Sequence, residues 1–135
     1  MNVKQQFGAA LASAVVMMLT AGLWHEVIMA HFYEAETGAK HEGTGLILVS
    51  YLILGGLMSY FYRPNRIKTG TILQGLWFGA LMGVLWVFPH ELAMAGAHSE
   101  PLGYVFKNGL WHVVEQGVGG VVISWIYSRG DQVTS

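Results

Sequence analysis

Cysteine is absent from this 135-residue chain, which excludes disulfides, thiolate metal sites and cysteine nucleophiles and leaves the redox compartment unmarked. Charge is scarce as well. Only 11% of residues are charged, against about 25% in soluble domains, and a net charge of −1 supplies no basic face to neutralise nucleic-acid phosphates. Nucleic acid is therefore not an expected partner. A nucleophile paired with a base and an established catalytic motif are also lacking, which argues against an enzyme.

What the chain does have is apolar length. Hydrophobic residues make up 53% of it and the mean hydropathy is +0.45. Four apolar stretches, 7–30, 43–62, 71–94 and 102–127, each reach the roughly 20 residues needed to cross a hydrocarbon core as helix, the form in which a span satisfies its own backbone. The expectation is an all-α, single-domain protein of the bilayer over residues 1–135, a four-helix bundle. The first stretch, with Lys4 ahead of it and "ALASA" within it, has features of a signal peptide, but it runs well past the cleavage position and reads as a retained span.

Basic residues set the expected orientation. Lys4, Arg63, Arg66, Lys68 and Arg129 fall on one side, whereas Lys40 and Lys107 fall on the other, so the positive-inside rule places both termini in the cytoplasm of a bacterial inner membrane. Of the acidic residues only Asp131 is inside; Glu26, Glu34, Glu36, Glu42, Glu91, Glu100, Glu115 and all six histidines lie in the outer half.

The stretches LWHEVIMA (23–30) and FPHELAMA (88–95) share a His-Glu-x-x-Met-Ala core. Their offset of 65 also aligns Leu11 with Leu76, Met17 with Met82 and Gly38 with Gly103, and it aligns Gly55, Ser59 and Tyr62 with Gly120, Ser124 and Tyr127. Two spans thus map onto two spans in one register, which predicts an internal duplication with halves of about 1–65 and 66–135. Two-span units keep the same direction, so the hairpins are expected to be parallel-related about an axis along the membrane normal. Gly75, Gly79 and Gly83 form a small-residue ridge, and Gly117 and Gly120 flatten a face of span four; these are packing glycines first, with dimerisation as a second use.

The chemistry concentrates in a few ionisable groups. His112 and Glu115 are three apart and share a helix face, and Glu115 is expected near mid-bilayer, where a carboxylate costs roughly 2.5–3.5 kcal/mol on insertion scales. His25 with Met29, and His90 with Met94, are i,i+4 pairs, while Glu26 and Glu91 are expected to point about 100° away from their histidines. His25, His90, His112 and Glu115, with Glu26, Glu91, Met29 and Met94 as additional donors, form a candidate site for copper, zinc, iron or manganese, or for haem through two axial histidines. Neither copy matches the HExxH zinc motif. The bland alternative is that these groups only hydrogen-bond between helices or to water and that the methionines are core filler. The loop residues His31, Glu34, Glu36, His41, Glu42, His98 and Glu100 are expected to be solvated.

The segments "GLWHEV" and "KNGLWHVVEQGVGGVVISWIY" resemble those of small four-span bacterial membrane proteins grouped as a domain of unknown function. The resemblance rests on Gly22, Trp24, Asn108, Gly109, Trp111 and His112; Asn108 and Gly109 are adjacent here, where the family has a residue between them. It implies a four-helix membrane architecture and no activity. Three functions follow as expectations: metal or haem binding for metal handling or electron transfer, an accessory subunit docking a larger membrane complex, and a proton-coupled solute transporter working as a homo-oligomer.

Overall fold

The computed structural model describes residues 3–32, 44–62 and 72–131. Among them there is helix and no strand. Helix α1 spans Val3–Gly22 and passes into a π-helical turn, Leu23–Ile28; α2 spans Thr44–Phe61, α3 Ile72–His98 and α4 Leu102–Asp131. Three of these, Val3–Ile28 taken as one, Thr44–Phe61 and Ile72–His98, are long and apolar enough to cross a membrane. The fourth is longer than any of them, at 30 residues, but carries Lys107, Glu115 and Arg129 within it. Lipid-facing helices must be apolar all round, whereas a helix enclosed by others can hold polar groups on its inward side. That is where α4 lies, packed along α3 on one flank and α1 on the other, with α2 on the far side of α1.

Close approach of the helices follows from small residues. A Cβ at Gly120 would collide with the carbonyl of Gly75 and the backbone of Gly79, and one at Gly79 would fall on the carbonyl of Gln116. The α1–α2 seam is built alike, since a Cβ at Gly55 would meet the carbonyl of Ala10 and the backbone of Ala14. Gly55 and Gly120, Ala10 and Gly75, and Ala14 and Gly79 are each 65 apart. The two hairpins therefore share one seam.

At the level where α1 begins and α4 finishes, the polar groups answer one another. The Tyr62 hydroxyl donates to Ser124 Oγ at 2.8 Å, and Ser59 Oγ and the Tyr127 hydroxyl stand 3.1 Å apart. Tyr127 also donates to the Ser59 carbonyl at 3.1 Å, and Ser59 Oγ donates to the Gln6 carbonyl at 2.9 Å. The two phenol rings stack with centroids 6.0 Å apart. Each Ser-x-x-Tyr thus bonds to the other, a reciprocal contact of the kind a twofold axis generates. All four side chains are buried, beside Met17, Met58 and Ile123. Gln5 Nε2 ties α1 to the last turns of α4 through the carbonyls of Ile126 and Tyr127, at 3.0 and 3.2 Å.

The opposite end is not closed in this way. Met17 of α1 packs against Gly119 of α4, but the positions 65 away are Leu54 and Met82, two long side chains, and α2 and α3 scarcely meet. Every residue of 44–50 is exposed, whatever face of α2 it occupies. The first two turns of α2 therefore stand clear of the bundle and leave a gap lined by all four helices.

Candidate functional site

That gap is a cavity of about 710 Å³, within the range of pockets that enclose drug-sized molecules. Its walls are mostly apolar, with Met18, Leu46, Ile47 and Leu54 on α1 and α2 and Trp86 reaching in from α3. Its polar groups are His25, Glu26, Thr44, Ser50, Tyr51, His112 and Glu115.

Glu115 sits about 20 Å along α4 from Leu102, at 1.5 Å per residue, and is completely buried. His112 Nδ1 stands 3.3 Å from Glu115 Oε2, one helical turn back on the same face. This distance pairs the charges when the imidazole is protonated, although the alignment does not make a hydrogen bond. Tyr51 reaches the same carboxylate from α2 with its hydroxyl. The neighbouring Gln116 is also buried, with neither side-chain atom bonded. Buried polar groups are paired in the great majority of native structures, so Gln116 sets this level of α4 apart from the satisfied Ser-Tyr end.

The π turn supplies the α1 side. Met29 N–H donates to the Trp24 carbonyl at 2.8 Å, five residues back, and single π turns of this kind recur at functional sites. The wider turn rotates adjacent residues by less than the 100° of an α-helix, so His25 and Glu26 both border the cavity; the expected divergence of Glu26 from its histidine does not hold here. Trp24 faces the other way and stacks on Trp111 with centroids 4.4 Å apart and planes at 3°. This contact locks the turn against α4 and sets the His25 and His112 rings 6.3 Å apart.

The copy on α3 is placed otherwise. His90 is exposed and borders no part of the cavity, and Glu91 Oε1 accepts a hydrogen bond from buried Asn108 Nδ2 at 3.1 Å. Met29 borders a separate groove with Trp24, Lys107 and Leu110, and Met94 is half-buried, its carbonyl facing His98 Nδ1 at 3.2 Å. The expected centre of His25, His90, His112 and Glu115 is therefore not assembled. Among the described residues no group of three or more His, Asp or Glu side chains is gathered to hold a metal ion. Glu34, Glu36, His41 and Glu42 lie outside the described residues.

Two contributors escape a motif-based reading, Tyr51 and Trp86. Their signal is positional, because the offset of 65 sets Tyr51 against Gln116 and Trp86 against Ala21, which also borders the cavity. No known protein family, curated protein or solved structure matches the chain.

Proposed function

We propose that the protein binds a small amphipathic solute in this cavity as the recognition step of solute transport, in a bacterial inner membrane that it spans four times with both termini in the cytoplasm. The reading is carried by Glu115, a fully buried carboxylate beside His112 and Tyr51 that borders a roomy, mostly apolar cavity. Intramembrane carboxylates are rare and mark solute, ion or proton pathways. A solute with an apolar body and a polar head suits the division of the walls: Leu46, Ile47, Leu54 and Trp86 take the body, and Glu115, His112, Tyr51 and His25 take the head. Four helices enclose one site and no complete path, so a second copy at the open side between α2 and α3 completes the transporter. The shared seams and the reciprocal Ser-Tyr bonds support descent of the two hairpins from one duplicated unit.

Ser50→Trp tests the binding reading. Ser50 is exposed and borders the cavity, so an indole there fills the space without disturbing the core. Small molecules retained by detergent-extracted protein and identified by mass spectrometry are expected to be present in wild type and lost in the variant, with unchanged helical content. Equal retention by both, or none by wild type, removes the reading.

A further inference from the structure

The charge of the lining names the class of solute, given that the cavity is a binding site. Among the described residues that border it there is no lysine and no arginine, whereas there are two glutamates, Glu115 at depth and Glu26 at the exposed rim. A fatty acid or phospholipid head would meet like charge there, with no lysine or arginine among the described lining residues to receive it. The aromatic faces of Trp86 and Tyr51 join the carboxylates, and an indole face is the best natural partner for an organic cation. Glu115 is fully buried beside His112 and Tyr51, and an ionised carboxylate in such a place is stabilised chiefly by an opposite charge brought into contact.

We propose that the cavity takes lipophilic organic cations, molecules with a delocalised or shielded positive centre on an apolar body, with Glu115 as counter-ion, Trp86 as aromatic wall and Glu26 as rim attraction. The cation enters at the rim where residues 44–50 stand clear and Glu26 is exposed. The titratable groups that face Glu115 are His25 and Glu26 from α1, Tyr51 from α2 and His112 on its own helix; α3 contributes none among the described residues. Protonating either glutamate removes a negative charge, and protonating either histidine adds a positive one. Every acid titration in the cavity therefore opposes the cation, and protons and cation compete for one site.

The test uses tetraphenylphosphonium and tetraphenylborate, ions of the same shape and opposite charge, titrated calorimetrically into the full-length protein in mild neutral detergent, with decylubiquinone as a neutral amphiphile. The expected result is saturable binding of the phosphonium, at least about tenfold tighter than the borate, that weakens as the pH is lowered. Glu115→Gln is expected to weaken the phosphonium about tenfold or more and to leave the borate unweakened or tighter. Glu26→Gln, at an exposed position, is expected to weaken the phosphonium by a smaller factor and keeps the test informative where the buried variant fails to fold. Equal binding of the two ions, or phosphonium binding indifferent to both substitutions, overturns the proposal. If decylubiquinone or the borate binds and the phosphonium does not, the cavity is a site for another class and the cation proposal alone falls. If none of the three binds, the binding reading falls with it.

Discussion

The dipeptide His25-Glu26 lies in a π turn and borders the cavity, whereas its copy His90-Glu91 lies in regular helix, with His90 exposed and Glu91 hydrogen-bonded by Asn108. The residues are identical and so are the Met-Ala residues that follow. Two things separate them. One is the backbone, because an extra residue in the turn re-aims every side chain it carries. The other is the neighbour: α4 lies between α1 and α3, so each copy meets a different stretch of it, Trp111 and His112 for the first and Asn108 for the second. A motif tells which groups are on offer, and packing decides which of them are used.

The comparison is broken most severely by prising α3 from α4. Gly79→Val places a side chain on the Gln116 carbonyl and is expected to cost more than about 3 kcal/mol or to prevent folding altogether, as overpacking into backbone does. Gly96→Val, with open space around it, is expected to stay within about 0.5 kcal/mol of wild type; unfolding in detergent measures both. A smaller effect separates the two glutamates. Glu91→Ala removes the carboxylate that accepts from the buried Asn108 amide and is expected to lower stability by about 1–3 kcal/mol, whereas Glu26→Ala at its exposed site is expected to change it by less than about 0.5 kcal/mol. Equal losses would mean that the two copies share one role. The finest distinction is read in binding. His25→Ala is expected to change phosphonium affinity severalfold and His90→Ala less than about twofold, by calorimetric titration of tetraphenylphosphonium into each variant. A matching change in His90→Ala would place the α3 copy at the site after all.

Much of the helical layout was legible in the sequence, because apolar runs of span length have few alternatives. The stretch 43–62 became Thr44–Phe61 and 71–94 became Ile72–His98, with Pro89 accommodated inside the helix. Glu115 and His112 were legible as a facing pair because helix periodicity alone places residues three apart on one side. Where α1 turns π was not legible: Gly22 in "GLWHEV" permits a break without fixing its kind, and the turn packs through Trp24 on Trp111, a partner 87 positions away. For the same reason the four-donor centre was over-read. Matching heights along two helices do not fix azimuth, and His90 faces outward while His25 does not. Tyr51 and Trp86 were passed over because a single aromatic in an apolar span looks like lipid-facing bulk until its neighbours are known.

The reciprocal Ser-Tyr contact also orders events in time. Ser59 and Tyr62 are translated more than sixty residues before Ser124 and Tyr127, so the first hairpin leaves the ribosome with its seam complete and its Tyr62 hydroxyl unanswered. Ser59 has a local acceptor in the Gln6 carbonyl; Tyr62 waits for the second hairpin. A chain cut short before Ser124 carries the Tyr62 phenol without the acceptor it has in the finished protein.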